Sequence, residues 1–115
     1  LVVEDDFDLR YLIKKILVLN GFQVLTAGSA EKALSEFSRH IFDIHAVILD
    51  LSLPDRDGAY IAKELLKVDP EIPIIVTTGF EDQQRRSEIK EIGIRHYLIK
   101  PFDIMQLIRI ISEII

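Results

Sequence analysis

The feature that most constrains this chain is an apolar run at residues 46–49 that ends in one carboxylate, Asp50. An uninterrupted apolar run of this length is typical of a strand that is buried on both faces of a parallel sheet. Turn-forming residues follow at once, namely Pro54, Asp55, Asp57 and Gly58. They stop the strand, and Asp57 suits the N-cap of the next helix. Asp50 is therefore predicted to lie at the carboxyl end of a strand, where open α/β sheets bind ligands.

The rest of the chain alternates strand and helix patterns. Strand-like apolar runs cover residues 1–3, 22–27, 46–50, 72–78 and 96–99. Apolar residues at helical spacing follow each run, over residues 9–20, 30–37, 58–68, 81–92 and from about 103 to the end. Strands that alternate with helices pair in parallel through right-handed crossovers. The predicted fold class is therefore α/β, a three-layer α/β/α sandwich.

The same patterns assign individual residues to helix ends and to the core. Ser29 is a predicted N-cap, and predicted helix ends are Asn20, Gly21 and Gly93. The third helix is expected to bury Ile61, Leu65, Leu66 and Val68. The last helix has a predicted core stripe of Ile104, Leu107, Ile108, Ile111 and Ile115, which Ile110 and Ile114 widen on one side. This extra apolar edge indicates either a partner surface or packing against the preceding helix.

Composition limits the function classes. The 115 residues make one ordinary domain, and the absence of cysteine excludes a zinc–thiolate site and suits a reducing compartment. The formal net charge of −5 argues against general attraction to nucleic acid or to an anionic membrane. No apolar run reaches the roughly 18 residues of a transmembrane helix. We expect a cytoplasmic domain that binds neither nucleic acid nor a membrane directly, and that belongs to a longer protein because it begins at Leu1 inside a strand pattern.

Polar residues follow most of the predicted strands. Parallel pairing brings to one edge of the sheet Glu4, Asp5, Asp6, Asp50, Thr78 and Lys100. Carboxylates that meet there would repel one another unless they share a hard cation, and oxygen ligands of this kind suit Mg²⁺. Since Mg²⁺ usually takes phosphate oxygens as further ligands, a phosphoryl group is the expected partner, with Lys100 and Thr78 in contact with it. Asp50, the central acid, can also act as a nucleophile towards phosphorus.

Each of these residues also has a simpler interpretation. Acidic residues before a helix are common because they cap it and favour its dipole, and this applies to residues 4–6. Thr78 and Lys100, each taken alone, would be ordinary surface residues. Other polar residues are interpreted as surface or boundary positions and solvated helix faces: His40, His45, His96, Lys14, Lys15, Arg85 and Arg86. The joint placement of the strand-end residues is what favours a functional site.

These motifs resemble those of the receiver domain of two-component response regulators, over all 115 residues. The motifs are Leu-Val-Val-Glu4-Asp5-Asp6 on the first strand, Leu-Asp50-Leu-Ser-Leu-Pro54 as the phosphoacceptor motif, Val-Thr-Thr78-Gly79, and Lys100-Pro101-Phe102. The resemblance implies a flavodoxin-like, five-stranded parallel sheet in the order 2-1-3-4-5. It also implies a phosphorylation-dependent signalling switch that catalyses only its own aspartyl phosphorylation and dephosphorylation.

The resemblance implies a metal site and a phosphoryl site. Asp50 would accept the phosphoryl group from a histidine kinase or a histidine phosphotransfer protein, and Lys100 would pair with the phosphoryl oxygens. The implied Mg²⁺ ligands are Asp5, Glu4 mostly through water, Asp50, and the backbone carbonyl of Ser52.

The resemblance also implies a switch. Thr78 would move to hydrogen-bond the phosphoryl group, and Tyr97 would change rotamer with it. A cis bond between Lys100 and Pro101 is expected on the same basis. A homodimer formed through the fourth helix, the fifth strand and the fifth helix is a further hypothesis.

Two positions bear on the lifetime of the phosphoryl group. Neither Ser52 nor Phe80 is a residue type that activates water, so slow self-dephosphorylation is predicted. Phe80 either covers the approach of water or points away from the site. Gly79 occupies a position at which alanine is more usual in the receiver family that this sequence resembles, and glycine gives the loop more backbone freedom.

Other classes of protein fit less well. A haloacid-dehalogenase-type phosphatase needs a second acid two residues after its nucleophile, where this chain has Ser52. An EF-hand would put Leu53 at the first ligand position. A flavodoxin-like electron carrier needs Gly, Ser or Thr donors in the first-strand turn, which here is acidic. The sequence leaves the output open: a stand-alone regulator, a receiver fused to an output domain and the receiver of a hybrid kinase all fit.

Overall fold

Short parallel strands form the centre of the structure, a computed structural model that describes residues 1–80 and 82–115. The strands are β1 (Val2–Val3), β2 (Thr26–Ala27), β3 (Val47–Asp50), β4 (Ile74–Thr78) and β5 (His96–Ile99). The helices are α1 (Phe7–Leu19), α2 (Ala30–Arg39), α3 (Gly58–Val68), α4 (Gln83–Ile92) and α5 (Ile104–Ile114). All strand pairs are parallel and the sheet order is β2-β1-β3-β4-β5. The predicted fold class and strand order are confirmed.

The core has two halves, one on each face of the sheet. Successive residues of a strand point to opposite faces, so in β3 the side chains of Val47 and Leu49 join one half and that of Ile48 joins the other. The first half lies under α2, α3 and α4, and the second lies under α1 and α5. All four residues of β3 are buried. The strand that carries Asp50 is therefore central, as its apolar run predicted.

Every helix begins at a side-chain cap. The capping residues are Asp6, Ser29, Asp57, Asp82 and Asp103, and each accepts a hydrogen bond from a backbone N–H of the first helical turn. Such a bond satisfies one of the N–H groups that a helix leaves unpaired at its start. The predicted caps Ser29 and Asp57 are confirmed. In the described parts of the chain, no helix combines the length and the apolar character needed to cross a membrane.

Some predicted boundaries are wrong. The second strand was expected over residues 22–27, but β2 has only two residues. Its one neighbour in the sheet is β1, which also has two residues and so offers the edge strand few partners. The fourth strand begins at Ile74 rather than two residues earlier, after Pro73, which has no N–H to donate to a ladder. The predicted first residue of the fourth helix, Glu81, lies outside the described residues.

Two predicted core residues are exposed. Val68 is 52% exposed and Ile115 is 61% exposed. Each lies at the end of a helix, where the chain leaves the sheet on which that helix packs. The two residues that widen the apolar stripe of α5, Ile110 and Ile114, are partly buried against the core half under α1 and α5. Packing within the domain therefore covers part of this edge.

Two glycines are expected to respond in opposite ways to alanine substitution. Gly93 ends α4 with a φ of 107°, where a side chain is strained although no atom lies within 4 Å of an added Cβ. We expect Gly93→Ala to lower the free energy of unfolding by about 1 kcal/mol. Gly79 has the same open surroundings but no positive φ. Gly79→Ala should therefore raise the free energy of unfolding by about 0.5 kcal/mol, because alanine restricts the unfolded chain more than glycine does. Urea unfolding of both variants measures the difference, and equal effects would contradict the argument.

Candidate functional site

Two buried carboxylates lie side by side at the carboxyl edge of the sheet. Asp50 is the last residue of β3, and Glu4 directly follows β1, the neighbouring strand. The register pairs Val3 with Leu49, which brings the next residue of each strand to the same level. Asp50 is 1% exposed and Glu4 is 2% exposed. Burial of a carboxylate is costly unless its charge is compensated, so this pair needs hydrogen-bond donors or positive charge nearby.

Hydrogen bonds fix both oxygens of each carboxylate. Asp50 accepts from the Ser52 N–H at Oδ1 (3.0 Å) and from the Lys100 ammonium at Oδ2 (3.2 Å). Glu4 accepts from the Asp6 N–H at Oε2 (3.1 Å) and pairs with Lys100 through Oε1 (2.7 Å). The two side chains therefore have little freedom to turn away from each other.

Lys100 reaches this pair from the end of β5. Its backbone N–H donates to the carbonyl of Thr78 (2.7 Å), which ties the lysine to the end of β4. The bond from Lys100 to Pro101 is cis, as the resemblance implied. The lysine side chain is 24% exposed. One ammonium group thus bridges two buried carboxylates, on a side chain that is partly exposed to solvent.

The electrostatics of the cluster follow from burial and from this lysine. Burial raises the pKa of Glu4 to about 7; the Lys100 hydrogen bond opposes the increase and the nearby Asp50 adds to it. Burial alone would lower the pKa of Lys100, but the hydrogen bond to Glu4 and the charge of Asp50 outweigh it and raise that pKa. Lys100 is therefore charged at neutral pH. It attracts both carboxylates but cannot neutralise two of them.

A third carboxylate completes a cluster that suits a divalent cation. Asp5 is exposed, and one oxygen each from Glu4, Asp5 and Asp50 lie within 4.8 Å of one another. Carboxylate oxygens are the ligands that Mg²⁺ prefers, and it binds through one or two of them plus water and phosphate oxygens. Ser52 lies beside the cluster because its N–H donates to Asp50. The donor set is compatible with a Mg²⁺ site.

Thr78 lies at the end of β4, next to β3, but its hydroxyl faces its own loop. Thr78 is 2% exposed, and its Oγ1 accepts from the Phe80 N–H (3.2 Å) and lies 3.4 Å from the Phe80 carbonyl oxygen. Phe80 itself is 70% exposed. A ring that covers the phosphoacceptor would lose much of this exposure, so the structure favours the alternative in which Phe80 points into solvent.

Tyr97, the predicted switch residue, lies on β5 opposite Val76 of β4. Its ring packs against the core half under α2, α3 and α4, and its hydroxyl oxygen is buried. The guanidinium carbon of Arg86, on α4, lies 5.0 Å from the centre of the ring. Tyr97 therefore connects the sheet with α4.

Comparison with known proteins identifies the family. A sequence model described as the response regulator receiver domain matches residues 1–112. The chain belongs to this family. The receiver domain is a signalling domain, a switch of two-component systems.

Named relatives agree with this assignment. The chain is 37% identical to a probable transcriptional regulator ycf27 of Cyanidium caldarium over 89% of this chain and 40% of the relative. It is 33% identical to the transcriptional regulatory protein KdpE of Staphylococcus aureus over 99% of this chain and 49% of the relative. A receiver domain of Clostridium thermocellum superposes with a TM-score of 0.91 at 30% identity, covering 97% of this chain and 89% of that one. The chain thus spans less than half the length of these curated relatives.

The structure also corrects one interpretation made from the sequence of this receiver domain. Arg85 was interpreted as part of a solvated helix face, but its guanidinium donates to the Asp57 carboxylate and to the carbonyl of Leu51 (3.4 Å). Its neighbour Arg86 covers Tyr97. Nothing local signals these contacts, because the partners of Arg85 lie 28 and 34 residues away.

A second contact of the receiver domain was not anticipated. Asp55 accepts hydrogen bonds from the backbone N–H groups of Ala30 (2.9 Å) and Glu31 (3.1 Å), so it caps α2 from another loop. The three histidines lie outside the acidic cluster, and His40 pairs with Glu36 (3.5 Å), in line with ordinary surface or boundary positions.

Proposed function

We propose that this domain accepts a phosphoryl group on Asp50, with Mg²⁺, from a histidine kinase or a histidine phosphotransfer protein. The observation that carries the proposal is the bridge from Lys100 to two buried carboxylates at the end of the central strand. Asp55 and Asp57 are poorer candidates, because both oxygens of Asp55 and the Oδ1 of Asp57 accept hydrogen bonds from the N–H groups that begin helices. Asp50 has one oxygen on a lysine that a phosphoryl group can share.

The residues around Asp50 would each contribute to the transfer. One Asp50 oxygen forms a bond to phosphorus as the phosphorus–nitrogen bond of the donor histidine breaks and its electron pair stays on that nitrogen. Lys100 and the Ser52 N–H then donate to the resulting acyl phosphate, and catalysis is mainly positioning and charge stabilisation. Asp5, Asp50, the Ser52 carbonyl and Glu4, the last mostly through water, would hold Mg²⁺, which would supply positive charge against the developing negative charge.

Thr78 and Tyr97 are proposed to report this change at the surface. Thr78 would exchange its contact with Phe80 for a hydrogen bond to the phosphoryl group, and Tyr97 would turn further inward. The affected surface comprises α4, β5 and α5, and we propose that it forms a homodimer. Equal sedimentation of the free and beryllofluoride-bound protein would contradict the dimer. Beryllofluoride stands in for the phosphoryl group.

The domain is proposed to act as one part of a longer signalling protein. We propose that residues 1–115 form the receiver domain of a longer cytoplasmic protein, and that this domain contacts neither nucleic acid nor a membrane. Relatives named as transcriptional regulators are more than twice as long as the part that matches. Phosphorylation would therefore control a separate output domain or a partner.

A metal-binding test addresses the site before any phosphorylation. We expect Mg²⁺ at ten times its dissociation constant to raise the free energy of unfolding by about 1.4 kcal/mol, because it binds only the folded protein. Asp5→Asn should remove most of this gain without loss of folding, since Asp5 is exposed. Thermal unfolding with Mg²⁺ and with a chelator measures it.

The matched control for that test is Asp8→Asn, which removes another exposed acid in the first turn of α1. Asp8→Asn should respond to Mg²⁺ like the unmodified protein. An equal response of Asp5→Asn and Asp8→Asn would place the metal elsewhere.

A further inference from the structure

The loop that directly follows the phosphoacceptor, residues 51–57, is here called the phosphoacceptor loop and contacts three helices. Asp55 binds the N-terminus of α2. Asp57 Oδ1 caps α3 through the Ala59 N–H (3.1 Å) and also accepts from Arg85 of α4. The start of α3 packs directly on this loop, since a Cβ on Gly58 would lie 2.5 Å from the Leu51 Cα. Movement of the loop would therefore change its contacts with α2, α3 and α4.

Arg85 touches the loop at both of its ends. Its Nη2 donates to the Asp57 carboxylate and to the carbonyl of Leu51, the residue directly after Asp50. Partial burial would raise the pKa of Asp57, but the hydrogen bond from Arg85, the hydrogen bond from the Ala59 N–H and the charge of Arg85 together hold that pKa below its ordinary value. The pair is nevertheless partly exposed, 28% for Arg85 and 54% for Asp57. Such an ion pair is weak enough to rearrange when a new charge appears nearby.

Helix α4 buries little apolar surface. Of its ten residues only Ile89 is buried, whereas α3 buries five. An element with few buried apolar contacts is a low-stability part of a domain. Its position should therefore depend strongly on the polar contacts of its first turn, where the Asp82 cap and Arg85 lie.

We propose that Arg85 is a positioning residue that couples the phosphoacceptor loop to α4, in addition to the pair of Thr78 and Tyr97. This inference rests on the proposed function. A dianionic phosphoryl group on Asp50 competes with Asp57 for the guanidinium, and it changes the Ser52 N–H contact that fixes the loop. The change reaches α4 through Arg85, and it reaches Tyr97 through Arg86, the next residue of the helix.

Hydrogen exchange of the α4 amides, with and without beryllofluoride plus Mg²⁺, tests the coupling. In the unmodified protein we expect beryllofluoride to change the exchange rates of Gln83–Ile92. In Arg85→Gln the change should be lost while beryllofluoride still binds, as shown by its fluorine NMR signal. Since coupling is reciprocal, the affinity for beryllofluoride should change by about fivefold. Lys14→Gln removes an exposed cation from α1, which lies on the other face of the sheet and outside the surface formed by α4, β5 and α5, and it should behave like the unmodified protein.

A second variant separates coupling from a general loss of structure. Asp57→Asn keeps a good N-cap for α3 but removes the charge that holds Arg85. If the contact carries the coupling, Asp57→Asn and Arg85→Gln should each abolish the α4 response, and the double variant should be no worse than either. Additive effects, or a normal α4 response in Arg85→Gln, would overturn the inference. Failure of the unmodified protein to bind beryllofluoride would instead overturn the proposed function.

Discussion

Replacing Asp50 with asparagine is expected to abolish phosphorylation of the domain by a small acyl phosphate donor in the presence of Mg²⁺. The asparagine side chain is nearly the same size, but its neutral amide is a poor nucleophile, and it removes one of the proposed metal ligands. Loss of a nucleophile that acts together with its neighbours typically lowers the rate of the reaction by about a thousandfold or more. We therefore expect the rate of phosphorylation to decrease by a factor of at least about 10³. Intact-protein mass spectrometry measures the phosphoryl adduct over time.

Asp55 and Asp57 supply the controls for this experiment. Both acids lie within seven residues of Asp50, but Asp55 caps α2 and Asp57 caps α3. Asparagine also caps helices well, so Asp55→Asn and Asp57→Asn should fold and still accept the phosphoryl group. A phosphorylated peptide that maps to either residue would show that the wrong acid has been assigned.

Asp50→Asn should also be well folded, which makes the loss of phosphorylation interpretable. The substitution removes one charge from a buried group in which Glu4 and Asp50 share a single lysine. In metal-free buffer this reduces repulsion between like charges. We therefore expect the variant to unfold no more easily than the unmodified protein.

The location of the site was predictable because it depends on topology alone. In a parallel sheet every strand ends at the same edge, so residues that directly follow strands meet wherever the strands are adjacent. Glu4 and Asp50 lie at the ends of the adjacent strands β1 and β3, and the long side chain of Lys100 reaches both from the end of β5, with β4 in between. The order of the strands could not be predicted in this way, because the alternation of strands and helices is compatible with several strand orders. That order was given by the resemblance to the receiver family, not by the pattern.

The contacts that could not be predicted depend on which partner a long or exposed side chain selects. Arg85 could have faced solvent, and only the fold shows that Asp57 lies within its reach. The contact of Asp55 with α2 is of the same kind, since two loops must be placed before it can form. The orientation of Phe80 was left open by the sequence, and its 70% exposure in the structure was not fixed by any periodic pattern.

The bounds of the second strand were predicted poorly, whereas those of the third and fifth strands were predicted closely. The fifth strand has the predicted bounds, and the third is one residue shorter than predicted. Residues 22–25 are apolar enough to form a strand, but β1 offers only two residues with which to pair. Whether an apolar run becomes a strand is therefore decided by its neighbour, which a local pattern does not contain.

Replacing Lys100 with methionine should have a large effect on stability even without phosphorylation. Methionine keeps much of the length of the side chain but removes the ammonium that bridges Glu4 and Asp50. Removing one partner of a buried ion pair costs roughly 3–5 kcal/mol. Because the Lys100 side chain is 24% exposed, we expect a smaller loss, about 2 kcal/mol in the free energy of unfolding in metal-free buffer at pH 8. Lys67→Met, at a 72% exposed ion pair on α3, should cost less than about 0.5 kcal/mol.

The loss caused by Lys100→Met should depend on pH in a defined direction. Burial already raises the pKa of Glu4 from 4.5 to about 7, although the hydrogen bond from Lys100 lowers that pKa. Removal of this hydrogen bond should therefore raise the pKa of Glu4 further. An acid with a raised pKa in the folded state destabilises that state as the pH rises through the raised value, because folding then favours the protonated form. The difference between Lys100→Met and the unmodified protein should therefore be small near pH 5 and largest at pH 8. Urea unfolding at both values measures it, and Mg²⁺ should restore part of the loss at pH 8 by supplying the missing positive charge. A loss that is equal at both pH values and insensitive to Mg²⁺ would mean that Lys100 stabilises the domain through packing and not through its charge.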